Sequence, residues 1–244
     1  MSLYRDKRIP LTSLAVEVER VSTGSEHIDE FLNGGLEKGI VNNVYGESGS
    51  GKTNLCVQVA AEVAENGGKV AYIDTEAGFS PERFLQMSDE EALDNILVRT
   101  PSTFADQEKA IDELEKTVEE ENIQLIIVDS AVSLYRLKVN GNNASEINNQ
   151  LSGQFSELTR LAREYEIPVL VTNQVYTSFD EDGIEIVGRD VPKYWSKCLL
   201  ELSERGKNKR QMEIAKHRAM PEGKKIRFKI TDDGLEAPEE TDLF

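Results

Sequence analysis

One octapeptide, Gly46-Glu47-Ser48-Gly49-Ser50-Gly51-Lys52-Thr53, constrains the fold of this chain more than any other stretch. It matches the Gly-x-x-x-x-Gly-Lys-Thr pattern of a phosphate-binding loop. Such a loop works only between a strand and a helix N-terminus, where backbone N–H groups and the positive end of the helix dipole converge on an anion. Both flanks are present. Val41–Tyr45 reads as a buried strand, and Leu55, Val59 and Val63 recur at helical spacing before an Asn66-Gly67-Gly68 stop. In this setting Lys52 supplies a point charge to the β- and γ-phosphates, and the Thr53 hydroxyl ligates Mg²⁺. The nucleotide-binding set is residues 46–53 together with Asn54, and ATP with Mg²⁺ is the expected cofactor pair.

Strand and helix patterns alternate along the chain. Val70–Ile73, Ile96–Val98, Leu125–Val128 and Val169–Val171 are short apolar runs of the kind that strands covered on both faces require. A helix is predicted after Thr103, whose pairing with Asp106 resembles a capping box, and it presents Ile111, Leu114 and Val118. Another carries Ile147, Leu151, Phe155, Leu158, Leu161 and Tyr165 on one stripe. These features predict an α/β fold with a mostly parallel central sheet and helices on both faces. Cys198–Leu202, Gln211–Ala215 and Ile226–Ile230 then read as antiparallel strands, with residues 206–209 as a hairpin loop. The predicted organisation is one core at 21–235, an N-terminal extension at 1–20 and an acidic tail at 236–244.

Two cysteines (Cys56, Cys198) and two histidines (His27, His217) are too few and too scattered for a zinc site or a disulfide framework. No apolar run approaches the roughly 18 residues of a membrane span, and the N-terminus has no signal-peptide core. A cytoplasmic location without membrane contact is expected. A net charge of -17 excludes coating of nucleic acid by bulk electrostatics. The segment 205–229 is the exception: ten Lys and Arg residues face only Glu213 and Glu222. It is either a solvated hairpin or a site for an anionic partner, DNA being the expected one.

Three further strand ends carry candidate chemistry. In LIIVDS (125–130) the strand delivers Asp129 to the carboxyl edge of the sheet, where it can hold the metal. In YIDTE (72–76) Glu76 or Asp74 can orient a water molecule for hydrolysis. In VTNQ (171–174) Asn173 and Gln174 are neutral amides suited to sensing a γ-phosphate. LSGQ at 151–154 is similar to the signature of ABC transporter ATPases, but there the signature precedes the metal-binding Asp and here it follows. Leu151 is better placed in the core.

Taken together, the motifs resemble the RecA/RadA recombinase core over roughly residues 20 to 235. VSTGSEHIDEFLNGGLEKG (21–39) is similar to the family's lead-in to the loop, and VDSAVSLYR (128–136) and VTNQV (171–175) are similar to its metal-binding and sensor strands. YIDTEAGFSPERF (72–84) resembles the segment in which a Glu activates water and an Arg stacks on adenine, which implies Glu76 as the catalytic acid beside Lys52 and Gln174, and Arg83 as the adenine contact. The resemblance implies a RecA-like P-loop NTPase fold.

Departures from the family pattern shape the expected function. Some 45 residues precede the loop, too few for the helical DNA-binding domain of the full-length recombinases. PLTSLAVEVE (10–19) contains no Phe-x-x-Ala, the pattern by which those proteins join in filaments. After Gln174, Asp180, Glu181, Asp182, Glu185 and Asp190 stand against Arg189 alone, where a recombinase places a DNA-contacting loop, and carboxylates repel phosphates. The other DNA-facing loop offers only Arg136 and Lys138. KHRAMPEG (216–223) resembles the bacterial arrangement in which cations reach a neighbour's nucleotide, so Lys216 and Arg218 are candidates for contact in trans, for DNA contact, or for an ordinary hairpin surface. The expectation is a core-only accessory protein that binds ATP, hydrolyses it weakly, binds DNA through 205–229 and assists a RadA-type recombinase. Self-association is left open. The alternatives are an active DNA-dependent ATPase recombinase and a KaiC-like signalling ATPase.

Overall fold

The computed structural model of the chain describes residues 18–177, 184–188 and 190–239. A two-stranded ladder, β1 (Arg20–Val21) with β2 (Leu36–Glu37), brackets α1 (Glu26–Phe31). The chain then runs through β3 (Val41–Gly46), α2 (Lys52–Glu65), β4 (Lys69–Asp74), α3 (Pro81–Leu85), α4 (Glu90–Leu93) and β5 (Ile96–Arg99). Next come α5 (Phe104–Asp112), α6 (Leu114–Glu121), β6 (Ile123–Asp129), α7 (Ser133–Lys138), α8 (Ala144–Tyr165) and β7 (Val169–Thr177). The C-terminal part comprises β8 (Ile184–Ile186), α9 (Asp190–Trp195), β9 (Cys198–Gly206), β10 (Lys209–His217), β11 (Lys225–Thr231) and β12 (Gly234–Glu236).

The main sheet has the order β12-β11-β10-β9-β3-β7-β6-β4-β5, with β8 paired to β7. The six strands from β9 to β5 are parallel, while β10, β11 and β12 add an antiparallel extension and β8 is antiparallel to β7. This is the predicted layered α/β architecture. The β6 strand shows why its apolar run does not alternate with polar residues. Ile126 and Val128 join the core under α5 and α8, whereas Leu125 and Ile127 join the core under α2, so both faces are covered.

Thr103 forms the predicted capping box with Asp106, each side chain satisfying the other's backbone N–H. The helix it starts is not continuous, however. The chain bends at Glu113, which ends α5 and begins α6, and the bend keeps Ile111, Leu114 and Val118 in one core. The α8 stripe packs as expected, with Leu151 and Phe155 fully buried. Burying one such side chain is worth about 1.5–3 kcal/mol. Gln154, from the LSGQ stretch, is also buried and accepts a hydrogen bond from Gln107 at 2.8 Å. Among the described residues, no helix is long and apolar enough to cross a membrane.

The candidate residues lie at two edges of the sheet. Gly46 is level with Gln174, and Asp74 with Asp129, so the ends of β3, β7, β4 and β6 meet at the carboxyl edge. Lys216 and His217 pair with Leu199 and Cys198, and Cys198 is level with Asn42 at the start of β3. They therefore lie at the opposite edge.

Candidate nucleotide site

The phosphate loop hangs between the end of β3 and the start of α2. A Cβ at Gly46 would stand 2.1 Å from the Leu202 carbonyl oxygen, so only glycine lets β3 and β9 approach this closely. Gly51 caps α2 at φ 101, a left-handed conformation that glycine adopts without strain. The Lys52 ammonium donates to the carbonyl oxygens of Gly46 (2.9 Å) and Glu47 (2.8 Å). Burial pushes its pKa below the usual lysine value, and the charges of Asp129 and Glu76 oppose that shift.

Asp129 is only 4% exposed. Its carboxylate accepts hydrogen bonds from the Tyr72 hydroxyl at 3.1 Å and from the hydroxyls of Thr172 and Thr53. Burial lifts its pKa above the ordinary aspartate value, and these three hydroxyls pull it back only in part. A buried carboxylate beside a threonine hydroxyl is a hard-oxygen donor pair, and its desolvated negative charge is what a divalent cation would relieve. The residues present fit Mg²⁺.

The two acids of YIDTE separate cleanly. Asp74, buried at the end of β4, accepts backbone N–H groups of Glu76 (3.2 Å), Gly78 (3.0 Å) and Phe79 (2.9 Å) and so holds the turn. Glu76 instead faces the site, where its Oε1 accepts from the Ser130 hydroxyl and from Gln174 Nε2, both at 2.8 Å. Thr75 braces the same corner: its hydroxyl donates to the Ser130 carbonyl oxygen at 2.9 Å. Asn173 and Gln174 are likewise sorted by strand alternation. Asn173 is buried and donates to Asn43 at 2.7 Å, away from the loop, and Gln174 alone reaches Glu76.

Arg83 stands beside the loop. Its Nε donates to Asn54 Oδ1 at 2.9 Å, and Nη1 donates to Gln86 (2.7 Å) and to the Asp232 carbonyl oxygen (2.8 Å). Asn54 and Arg83 share one wall of a cleft of about 700 Å³ whose other wall is the turn between β9 and β10 and the end of β11. These hydrogen bonds fix the guanidinium beside Asn54.

Sequence reasoning placed Arg210 only among the cations of a basic segment, yet it is part of the loop's support. Its Nε and Nη2 donate to the Gly49 carbonyl oxygen at 3.1 and 2.9 Å, and Nη1 donates to the carbonyl oxygens of Lys209 (3.0 Å) and Gly206 (3.3 Å). No motif signals this contact, because it depends on β10 folding back beside the loop.

Lys216 and Arg218 do not join the site within this chain. The Lys216 ammonium donates to the carbonyl oxygens of Lys193 (2.7 Å) and Ser196 (3.0 Å) around the end of α9, and burial lowers its pKa. Arg218 pairs with Glu37, a carboxylate 1% exposed that also has His217 Nε2 at 3.5 Å. Other cations of 205–229 are spoken for as well. Lys224 donates to the Phe31 carbonyl oxygen at 3.0 Å, and Lys225 and Lys229 pair with Glu213 (3.0 Å) and Glu239 (3.2 Å). The segment is therefore spread over both sheet edges, with Lys207, Lys209 and Lys229 lining the cleft beside Asn54 and Arg83. The acidic residues 180–182 lie outside the described residues, as does Arg189. Within the remainder, Glu185 accepts the Tyr176 hydroxyl at 2.7 Å.

A phosphate loop after a central parallel strand, acids at the ends of β4 and β6, a glutamine at the end of β7 and an antiparallel extension together define a RecA-like P-loop fold. The Rad51 family profile matches residues 15–238. A DNA repair and recombination protein RadB of Methanococcus maripaludis strain C7 is 43% identical over 214 residues, covering 86% of this chain and 97% of that protein. Its counterpart in Methanobrevibacter smithii is 38% identical, covering 85% and 92%. A crystal structure of the RadB recombinase superposes with a TM-score of 0.78 at 37% identity, covering 90% of this chain and all of that one. The chain belongs to the Rad51 family and, within it, to the RadB group.

Proposed function

We propose that this chain is an ATP-binding accessory protein of homologous recombination and DNA repair, of the mediator type. It hydrolyses ATP weakly, binds DNA, assists a RadA-type recombinase and performs no strand exchange of its own. The observation that carries the reading is the convergence of Lys52, Thr53, Asp129, Glu76 and Gln174 at one sheet edge, set against the acid-rich sequence that follows Gln174. The names of the RadB relatives supply the recombination context.

In this reading Lys52 exchanges the carbonyl oxygens of Gly46 and Glu47 for the β- and γ-phosphates, whose charge restores its pKa. Thr53 and Asp129 would hold Mg²⁺, which would neutralise part of the triphosphate charge. Glu76 orients water, Gln174 reports on the γ-phosphoryl group, and Arg83 with Asn54 receives the base. Lys216 and Arg218, at the far edge, can reach a nucleotide only on a neighbouring subunit. Nucleotide state thus selects a conformation and its partners.

The test is nucleotide binding, ATP turnover and DNA binding measured together over a salt series, for wild type and Lys52→Ala. The expected result is DNA affinity that falls with salt through counterion release, turnover hardly altered by DNA, and loss of nucleotide binding in the variant. Strong stimulation of turnover by DNA would favour an active recombinase instead.

A further inference from the structure

Arg136, on α7, reaches across to the end of β7. Its Nη1 donates to Gln174 Oε1, while Gln174 Nε2 donates to Glu76 Oε1 at 2.8 Å. The Ser130 hydroxyl donates to that same Glu76 oxygen at 2.8 Å. A single chain of contacts therefore joins α7, β7 and the turn after β4.

The two ends of a glutamine carboxamide have nearly the same shape and opposite hydrogen-bonding character. A guanidinium offers donors only, and an ionised carboxylate offers acceptors only. With Arg136 on one side and Glu76 on the other, both neighbours select the same orientation, oxygen toward the arginine and amino group toward the glutamate. We propose that Arg136 is a positioning residue of the nucleotide site, acting by fixing the orientation of the Gln174 amide. The inference rests on the ATP-binding reading above.

Two consequences follow from the donor count. The Gln174 amino group has two N–H donors, and Glu76 takes one. The second is left for an anion, and Gln174 is level with Gly46, the first residue of the phosphate loop. The donors from Gln174 and Ser130 converge on Glu76 Oε1, which leaves Oε2 to hold water. Without Arg136 only Glu76 selects the orientation, and an amide that turns over places an oxygen where the γ-phosphate needs a donor. An acceptor facing a phosphate repels it, so the loss falls on ATP and spares ADP.

The test is a set of dissociation constants for ADP and ATPγS, each with Mg²⁺, for wild type, Arg136→Ala, Arg136→Lys, Gln174→Ala and the Arg136→Ala/Gln174→Ala double variant. Arg136 is exposed, and ADP affinity in each variant reports that the loop is intact. Arg136→Ala is expected to lose about tenfold of the preference for ATPγS over ADP, the worth of one hydrogen bond to a charged group. Arg136→Lys, still a pure donor, should recover most of it. The double variant should be no worse than Gln174→Ala alone, because the arginine acts only through the amide. An unchanged preference in Arg136→Ala, or additive losses in the double variant, would overturn the assignment while leaving the ATP reading standing. A wild type that binds neither nucleotide would overturn both.

Discussion

Replacing Arg210 by alanine tests whether the hairpin holds the phosphate loop in shape. The side chain is 11% exposed and donates to three carbonyl oxygens, twice to that of Gly49. A hydrogen bond from a charged donor contributes about 1.5–3 kcal/mol. Lys209 and Gly206 lie in the hairpin itself and regain water when the arginine is removed, so their share is small. The Gly49 contact is different, because it ties an exposed loop residue to a rigid strand. Releasing it restores freedom that nucleotide binding must then remove, at about 1–2 kcal/mol per backbone residue ordered. Allowing for water on the freed carbonyl, a net loss of about 1.5 kcal/mol is expected, or roughly tenfold in ADP affinity. Arg210→Lys, with one ammonium in place of a planar fork, should fall between. The assay is titration with a fluorescent ADP analogue at low and high salt. A mechanical role predicts the same ratio of affinities at both, since hydrogen bonds to neutral carbonyls are not screened, whereas loss of a distant charge is. Unchanged ADP affinity, or a deficit that disappears at high salt, would refute the reasoning.

The remaining predictions concern buried charge. The pKa of Asp129 is raised in the folded chain above its ordinary value of 3.8, so the folded state holds this proton more tightly than the unfolded state. Its stabilising contribution is present at low pH and is lost as pH rises through the folded pKa. Asp129→Asn should therefore melt higher than wild type at neutral pH without nucleotide, by a margin that shrinks toward pH 4, and should lose the Mg²⁺ dependence of ATP binding. Equal melting temperatures at neutral pH would count against a desolvation cost. Arg218→Ala leaves the buried Glu37 carboxylate with His217 and Arg20 only, and should cost about 2 kcal/mol, less than a fully uncompensated buried charge. Adding Glu37→Gln should recover most of that in denaturant melts, and additive losses would show that the pair is not coupled.

How much of this was legible in the sequence depended on how local each feature is. The phosphate loop, Asp129 and Glu76 each follow a strand whose apolar run marks where the carboxyl edge lies, so residue order alone placed them together. The choice between Asp74 and Glu76 needed more, because both follow the same strand. In the fold three backbone N–H groups converge on Asp74, while Glu76 faces the site. Strand alternation, which turns Asn173 inward and leaves Gln174 at Glu76, was likewise legible. The break at Glu113 was hidden because Ile111, Leu114 and Val118 keep helical spacing across it. What stayed invisible were contacts between elements far apart in the chain: Arg210 on Gly49, Arg218 on Glu37, and the Tyr72 and Thr172 hydroxyls on Asp129. A cluster of cations counted along the sequence says nothing about which edge of a hairpin each one reaches, and here the fold sends them to both.

The proposed role requires an intact triphosphate grip without strand pairing. Its most direct measurement is D-loop formation by the purified chain with ATP and Mg²⁺, run beside ATP binding on the same preparation. The expected result is ATP binding that requires Lys52 and no joint molecules unless a RadA-type recombinase is added. Joint molecules formed by the chain alone, dependent on Lys52, would contradict it.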